Sequence, residues 1–202
     1  MNQPDIKQRL LGVNFIAGKA RILVWAPFAE QVVVHNESTG AAIPLEKEML
    51  GYWHALTDLI ADDDLYRIAL DGGKALPDPA SLAQPFGVHG ASQAVRLDTF
   101  AWTDQQWRNP EFGDYIIYEL HPGTFSAEGN FDGIIKKLVH LRTLGINAIE
   151  LMPVAQFPGR RNWGYDGVFP FAVQESYGGV MGLQQLVNTC HEQGFAVVLD
   201  VV

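Results

Sequence analysis

Carboxylates near the ends of apolar runs are the first residues in this chain whose types and spacing indicate chemistry. They lie in its second half and are Glu119, Glu150, Asp166 and Asp200. Two carboxylates about 5 Å apart can hydrolyse a glycoside with retention, one as the nucleophile and the other as the acid and then the base. Glu119 with Asp200 is the most tempting pair. Strand-end carboxylates also hold loops in place through hydrogen bonds, and this structural role is favoured for each of the four residues.

The segment from Pro153 to Val180 carries further candidates. It is too long for an ordinary connection and therefore predicts a functional loop. Flat aromatic rings can stack on the apolar faces of sugars while neighbouring polar side chains bond the hydroxyl groups. The aromatic residues are Phe157, Trp163, Tyr165, Phe169, Phe171 and Tyr177, and the polar ones are Arg161, Asn162 and Asp166.

The aromatic residues of this segment divide by side-chain type. Phe169 and Phe171 are pure hydrocarbons, so burial in a core is expected for both. Trp163 and Tyr165 each carry a polar group, so a place in a binding site and a place in the core stay open for both.

Metal ligands and nucleophiles are sparse in the sequence. His121 can serve as a general base or a metal ligand, but no partner lies at ligand spacing, so a hydrogen-bonded structural histidine is expected. Cys190, the single cysteine, excludes an internal disulfide. Its apolar helical neighbours predict a buried, unreactive thiol. Neither a metal nor a cofactor is expected.

The second half of the chain alternates strands and helices. The runs "YIIYEL" from Tyr115, "INAIELMPV" from Ile146 and "FAVVLDVV" from Phe195 are typical of parallel strands covered on both faces. Between them, the helical spacing of apolar residues predicts a helix that Asn130 caps and Gly145 ends, and a second helix before the third strand. This order predicts parallel strands joined by right-handed crossovers.

Three such strands fit either half of a doubly wound sheet or the first three units of an eight-stranded barrel. The segment after the first strand, "HPGTFSAEGN", lacks both the glycine spacing of a dinucleotide site and the lysine of a phosphate loop. The barrel is therefore favoured, and residues 115–202 are interpreted as an incomplete TIM-barrel domain with strands 1 to 3. Loops after barrel strands lie at the C-terminal rim, where active sites are built.

Residues 1–75 follow a different pattern. Short β-rich runs such as "ARILVW", "EQVVVHN" and "LYRIAL" are separated by turn-forming stretches. They predict a small immunoglobulin-like β-sandwich, in which Trp25 is expected to lie in the core. Residues 76–114 begin with a stretch dense in proline and glycine and are predicted to form an ordered linker.

Composition and charge narrow the class of protein. The chain has 202 residues, 48% of them hydrophobic, which is enough for a sizeable core. Its formal net charge is −9 and its basic residues are scattered, which argues against nucleic-acid binding and against a polybasic membrane anchor. No apolar run reaches the length of a membrane span. With its single cysteine, the chain is predicted to be a cytoplasmic protein with a neutral or cationic partner.

Four segments resemble the start of the catalytic barrel in the α-amylase superfamily: "YELHPGTFSAEGNFDG", "LGINAIELMPVAQFPGRRNWGYDGV", "YGG" and "LDVV". The linker "LPDPASLAQPFGVHGASQAV" and the segment "WAPFAEQVVV" are most similar to the malto-oligosyltrehalose trehalohydrolases of that superfamily. The resemblance implies retaining hydrolysis of the α-1,4 bond next to a terminal trehalose. The implied substrate is an α-glucan or a malto-oligosyltrehalose.

The resemblance also implies how the site is formed. Tyr165, in "NWGYD", matches the tyrosine that stacks under the sugar ring being cleaved. Asp200 matches an aspartate that organises the site through hydrogen bonds, and His121 is expected to organise it as well. Three neighbours of the tyrosine are expected to bind the substrate: Trp163, Asn162 and Asp166.

The nucleophile and the acid/base residue of the superfamily lie on later strands of the barrel. The resemblance therefore implies no catalytic residue within residues 1–202, and it replaces the pairing of Glu119 with Asp200. It implies the N-terminal portion of a longer enzyme, inactive alone, whose exposed barrel edge promotes self-association.

Two alternatives stay open. One is the start of a glycogen branching or debranching enzyme, which shares the order of a sandwich followed by a barrel. The other is a non-catalytic α-glucan-binding module. Its platforms would be aromatic side chains of the first domain: Trp25, Tyr52 and Trp53.

Overall fold

The computed structural model describes residues 11–202 of the chain. Contacts between Cα atoms divide these residues into two units. The first holds residues 11–82 and 89–96, and the second holds residues 83–88 and 97–202. The change from one unit to the other therefore falls inside the segment predicted as a linker.

Two antiparallel sheets form the first unit. Its described residues contain eight strands: β1 (Gly12–Ile16), β2 (Lys19–Trp25), β3 (Val32–Asn36), β4 (Ala42–Pro44), β5 (Glu46–Lys47), β6 (Tyr52–Thr57), β7 (Leu65–Leu70) and β8 (Ser92–Gln93). One sheet has the order β1-β2-β6-β5 and the other has the order β4-β3-β7-β8. All neighbouring strands in both sheets run antiparallel.

Buried and less buried side chains alternate along the strands, and the buried apolar side chains of both sheets form one core. In β3, Val32 and Val34 are buried while the residues beside them are half-buried. Ile22 and Trp53 of the first sheet share a cluster with Val34 and Tyr66 of the second. The immunoglobulin-like arrangement of these sheets stays a prediction.

Trp25 contradicts the expectation of a core position, because its side chain is 58% exposed. In β2 the buried residues are Ala20 and Ile22, so the two-residue period of the strand places Trp25 on the opposite face. Its indole N–H donates to the carbonyl oxygen of Leu50 at 3.1 Å, which satisfies the polar group outside the core.

The predicted linker contributes to the first unit. Strand β8 lies within it and pairs with β7, and Leu76 forms a β-bridge with Ile68. The buried carboxylate of Asp78 accepts a hydrogen bond from the buried hydroxyl of Tyr66 at 2.7 Å. Part of this segment therefore belongs to the sheet.

The second unit is built around parallel strands. Its elements in the described chain are β9 (Ile117–Leu120), α1 (Phe131–Ile135), α2 (Leu138–Thr143), β10 (Ala148–Leu151), β11 (Ala155–Gln156), β12 (Phe169–Val173), α3 (Gly179–Glu192) and β13 (Ala196–Leu199). The strands β13, β10 and β9 form a parallel sheet in that order. Closure of this sheet into a barrel stays a prediction.

The helix predicted after Asn130 is divided in two. The Asn130 side chain caps α1 as expected, since its Oδ1 accepts from the backbone N–H of Gly133 at 3.0 Å. The N–H of Lys137 bonds the carbonyl of Ile134, three residues back, and this tighter turn separates α1 from α2. Gly145, at φ +82°, ends α2 as predicted.

The segment between β10 and α3, predicted as one long loop, contains a small antiparallel sheet. Strands β11 and β12 pair with a register shift in β11. The buried Gln156 Oε1 accepts from the N–H of Glu175, and the buried Gln174 Oε1 accepts from the N–H of Phe157, both at 3.0 Å. These bonds fix both ends of the segment, and residues 158–168 project between them.

Cys190 lies in α3 and is fully buried in the core of the second unit. Burial raises the pKa of its thiol to about 12, because the thiolate would lose its hydration. The buried thiol predicted from the sequence is confirmed.

We expect Cys190 in the folded chain to react with a disulfide reagent at about pH 8 at least about a hundredfold more slowly than in the urea-unfolded chain. The thiolate is the reactive form, and burial suppresses both its formation and access to it. Absorbance of the released thiol measures both rates. Equal rates would contradict the buried position, and the unfolded chain is the control for reagent quality.

Candidate functional site

The parallel strands β9, β10 and β13 end side by side. Leu120, Leu151 and Leu199 are aligned in register, and the N–H of Asp200 donates to the carbonyl of Leu151 at 3.0 Å. The carboxyl ends of parallel strands meet at one edge of a sheet, where open α/β sheets bind ligands. His121, which follows β9, and Asp200, which follows β13, therefore lie at the same edge.

His121 anchors the loop that carries four other predicted site residues: Asn162, Trp163, Tyr165 and Asp166. Its Nε2 lies 2.6 Å from the carbonyl oxygen of Asn162. A carbonyl only accepts hydrogen bonds, so Nε2 carries the hydrogen, and Nδ1 is free to accept from the Thr124 hydroxyl at 3.3 Å. The Tyr177 hydroxyl lies 3.1 Å from Nε2. Burial raises the pKa of Tyr177 to about 12, so this hydroxyl keeps its proton.

Asn162 gives the loop its shape. Its Oδ1 accepts from the N–H of Gly164 at 2.8 Å, and its Nδ2 donates to Oδ2 of Asp166 at 3.1 Å. Gly164 has φ +101°, and a Cβ there would lie 2.3 Å from the carbonyl oxygen of Pro153. Both the left-handed backbone and the close approach require glycine at this position.

Tyr165 lies beside the end of the third parallel strand. Its hydroxyl donates to Oδ2 of Asp200 at 3.1 Å. This hydrogen bond to the carboxylate is the main reason that the pKa of Tyr165 is raised, and the negative charges of Asp200, Glu119 and Glu150 add to it. The side chain is 50% exposed, so a fixed hydroxyl is combined with an accessible ring.

Glu119 and Glu150 lie opposite each other on the neighbouring strands β9 and β10. The structure thus places three carboxylates close enough to Tyr165 to raise its pKa. Asp200, which the sequence paired tentatively with Glu119 for hydrolysis, instead accepts the Tyr165 hydroxyl. Through this hydrogen bond, Asp200 positions the side chain of Tyr165.

Trp163 and Tyr165 lie in different cavities, although a single residue, Gly164, separates them along the chain. Tyr165 and Asp200 line a cavity of about 330 Å³. Trp163 lines another, of about 390 Å³, with Arg160 and Arg161. Asn162 also lines the second cavity. The structure therefore brings Tyr165 and Asp200 together and separates Trp163 from them.

The expectation for the two loop phenylalanines is confirmed for one and wrong for the other. Phe169 is buried, whereas Phe171 is 49% exposed and lines the cavity of Tyr165. In a regular strand, residues two positions apart lie on the same face, so Phe169 and Phe171 would both be buried. The register shift between β11 and β12 breaks this alternation of faces. Tyr177 and Phe157 are fully buried and pack edge to face at 5.7 Å between ring centroids.

Some features of the site were missed from the sequence. The backbone carbonyl of Asn162 and the close approach of Gly164 to Pro153 depend on the fold, and the glycine in "NWGYD" was the only available signal. Within residues 11–202, no group of three His, Cys, Asp or Glu side chains is arranged to hold a metal ion. In the same part of the chain, no helix combines the length and the apolar character needed to cross a membrane.

We expect Gly164→Ala to lower the free energy of unfolding by about 3 kcal/mol, from left-handed strain plus the contact with Pro153. Gly159→Ala is the matched control, because Gly159 has φ +78° but nothing within 4 Å of the added Cβ. Its expected cost is about 1 kcal/mol, from backbone strain alone. Urea unfolding of the two variants measures the difference, and equal costs would contradict the close approach.

Comparison with known proteins shows the family of this chain. The model of the alpha amylase catalytic domain matches residues 94–202. The malto-oligosyltrehalose trehalohydrolase of Saccharolobus solfataricus is 47% identical over 179 residues, which are 89% of this chain and 32% of the relative. The trehalohydrolase of Arthrobacter ramosus is 43% identical over 90% of this chain and 32% of its own length.

Solved structures show the same fold. A crystal structure assigned as an alpha amylase from Salmonella typhimurium superposes with a TM-score of 0.89 at 34% identity, covering 95% of this chain and 32% of that chain. A pullulanase from Anoxybacillus sp. LM18-11, complexed with maltotetraose, superposes with a TM-score of 0.78 at 22% identity, covering 95% of this chain and 34% of that chain. The chain spans about a third of the length of these relatives. With a family model that matches more than half of its residues and with curated trehalohydrolases among its relatives, the chain belongs to the α-amylase family.

Proposed function

We propose that this chain forms the first part of a retaining α-glucan hydrolase that cleaves the α-1,4 bond next to the terminal trehalose of malto-oligosyltrehalose and releases trehalose. The observation that carries the proposal is the half-exposed ring of Tyr165, held at the ends of parallel strands by its bond to Asp200. Relatives named malto-oligosyltrehalose trehalohydrolases, at 47% and 43% identity, support this substrate.

The two units have separate roles in this proposal. The antiparallel sheets of the first unit form an immunoglobulin-like sandwich that precedes the barrel. The strands β9, β10 and β13 are the first three of an eight-stranded TIM barrel, and the edge occupied by His121 and Asp200 is its C-terminal rim. The superposition on the Salmonella typhimurium structure over 95% of this chain supports this architecture.

The predicted site residues have separate proposed tasks. Tyr165 stacks under the sugar ring next to the scissile bond, and Asp200 holds its hydroxyl so that the ring keeps one orientation. His121 holds the carbonyl of Asn162 and fixes the loop from the other side. Asp166, exposed at the end of the loop and bonded to Asn162 through Oδ2, has its other oxygen free to accept a bond from a sugar hydroxyl.

A retaining hydrolase needs two further carboxyl groups, one on each side of the scissile bond. The acid gives its proton to the glycosidic oxygen as the bond from that oxygen to C1 breaks, and the nucleophile forms a bond to C1. Water then displaces the nucleophile. We assign neither role within residues 1–202, since the resemblance to the α-amylase superfamily implies later strands for both residues, and Asp200 holds the hydroxyl of Tyr165. The chain alone is therefore expected to position sugar without cleaving it.

A branching enzyme is the second candidate. The 1,4-alpha-glucan branching enzyme GlgB of Pseudoalteromonas atlantica is 27% identical over 94% of this chain and 29% of its own length. Its sequence identity to this chain is well below that of the trehalohydrolases, so hydrolysis is favoured over transfer of a glucan chain. A glucan-binding module without catalysis and the cytoplasmic location both stay predictions.

The edges of the parallel sheet carry exposed apolar residues, among them Ile117 on β9 and Leu199 on β13. Unpaired strand edges of this kind pair readily with other chains. The isolated 202-residue chain is therefore expected to self-associate as its concentration rises. Sedimentation velocity measures this, and a monomer at every concentration would contradict it.

The decisive test uses the polypeptide expressed from the native gene that contains these residues, incubated with malto-oligosyltrehalose. Free trehalose is the expected product, and the isolated 202-residue chain is expected to release none. New α-1,6 branch points without trehalose would contradict the proposal and favour the branching enzyme. Chromatography of the products distinguishes the outcomes.

The role of Tyr165 is tested in the same enzyme. Tyr165→Ala removes the ring and is expected to lower kcat/KM by about a hundredfold, whereas Tyr165→Phe keeps the ring and is expected to lower it by about tenfold. Phe112→Ala, which removes an exposed ring elsewhere in the same unit, is the control expected to leave kcat/KM unchanged. Equal losses in the two Tyr165 variants would show that the hydroxyl bond, and not stacking, matters.

A further inference from the structure

Residues 102–109, which precede the first parallel strand, lie against the last turns of α3. The backbone N–H of Thr103 donates to Oδ1 of Asn188 at 2.8 Å, and Nδ2 of Asn188 donates to the Thr103 hydroxyl oxygen at 2.8 Å. That hydroxyl donates in turn to the carboxylate of Glu192. Asn188 and Glu192 are four residues apart, so one face of α3 binds the segment.

His191, three residues after Asn188, makes a second contact with the segment. Its Nδ1 lies 2.6 Å from Oδ2 of Asp104, and the two side chains are only 16% and 20% exposed. Such a short separation is typical of a hydrogen bond in which a partner is charged. The pair is therefore close and largely shielded from water.

Trp107 covers the imidazole of His191. The two rings are stacked, with 4.7 Å between their centroids and an interplanar angle of 5°. The indole N–H donates to Oδ1 of Asn109 at 3.0 Å, which orients the indole. Since the face of an indole attracts a cation, this contact is stronger when the imidazole is protonated.

The place of His191 in α3 favours the same charge. It lies in the last turn, where the helix carbonyls carry partial negative charge. The other ionisable side chains of α3 and of residues 102–109 are Cys190, Glu192 and Arg108. Glu192 adds negative charge, and the guanidinium of Arg108 donates to backbone carbonyls of its own segment. Burial raises the pKa of the Cys190 thiol to about 12, so it stays neutral near pH 7.

The other elements packed against α3 place their ionisable groups at its opposite end. These elements are α1, β12, β13 and the turn Glu175–Tyr177, and the groups are Asp132, Glu175 and Tyr177. The turn directly precedes α3, and a Cβ on Gly182 would lie 3.1 Å from the ring of Phe131, the neighbour of Asp132. His191 is nine residues beyond Gly182, about 14 Å along the helix.

We propose that His191 is a pH-sensitive switch that holds residues 102–109 on α3. With the imidazole charged, the contact with Asp104 is an ion pair and the contact with Trp107 is a cation–π interaction. With the imidazole neutral, a weaker hydrogen bond and a stack of two neutral rings replace them, and the segment detaches more often.

The direction of the pH dependence follows from the form that binds more strongly. Stabilisation by the charged imidazole is greatest below about pH 6 and is lost as the pH rises through neutrality. The helix on which the segment lies leads through Gly194 into β13, and Asp200 follows that strand. The switch therefore acts on the helix directly before the third parallel strand.

Hydrogen exchange of the Thr103 amide in the dilute 202-residue chain tests the switch, because its bond to Asn188 requires the docked segment. Its protection, corrected for the intrinsic pH dependence of exchange, is expected to fall about tenfold between about pH 6 and about pH 8 in the wild-type chain. His191→Gln, which stays neutral, is expected to show no fall. Asp104→Asn keeps a polar side chain without the charge, and its fall is expected to be less than about threefold. Mass spectrometry with fragmentation measures the exchange.

Two controls separate the switch from general effects of pH. His54→Gln removes the other histidine–carboxylate pair of residues 11–202, His54 with Glu48 at 3.0 Å, which lies in the first unit and is more exposed. It is expected to leave the fall at Thr103 unchanged. The amide of Gly133, bonded to the Asn130 side chain in the same unit as Thr103, is expected to keep the same protection at both pH values.

Each contrary result overturns the switch. Equal protection of Thr103 at both pH values in the wild-type chain would show that the contact does not respond to the proton. An undiminished fall in His191→Gln would assign the response to another group. A parallel fall at Gly133 would show general destabilisation at the higher pH. Where His191→Gln does not fold, Asp104→Asn decides, since a full tenfold fall in that variant contradicts the ion pair.

Discussion

The hydrogen bond from His121 to the carbonyl of Asn162 is the constraint on which the candidate site depends. It joins the residue after the first parallel strand to the middle of a loop that leaves the second. The bond from Tyr165 to Asp200 joins the same loop to the end of the third strand. Bonds to two strand ends tie the positions of the loop side chains to the sheet.

This double attachment explains why the loop needs its glycine. The turn between the two bonds spans only Asn162 to Tyr165, and the backbone must pass against Pro153 to make it. A side chain at Gly164 would push the loop away from β10 and break one bond or the other. The glycine and the two hydrogen bonds therefore act together to set the shape of the loop.

Local patterns in the sequence predicted much of the fold, because the spacing of apolar residues and the capping residues of helices depend on the conformation of neighbouring residues. The Asn130 cap and the Gly145 stop lie where the pattern placed them. Two of the errors came from non-local contacts. The strand β8 formed inside a proline-rich segment because β7 offered an edge, and Phe171 became exposed because of a register shift in the strand opposite it. The candidate site residues were predicted from family resemblance, but their division between two cavities follows from the fold alone.

The two aromatic residues of the loop show different ways of holding a ring for a ligand. Tyr165 is fixed by its hydroxyl to Asp200, and its side chain is 50% exposed. Among residues 11–202, the Trp163 ring is held by an edge contact with His121 and its indole N–H has no hydrogen-bond partner. A hydroxyl bond to a carboxylate restrains a ring more strongly than an edge contact does, since charge-assisted hydrogen bonds are directional and strong whereas ring pairs are weaker. The more rigid ring therefore suits the place that the proposed function gives Tyr165, next to the scissile bond, where orientation limits the rate.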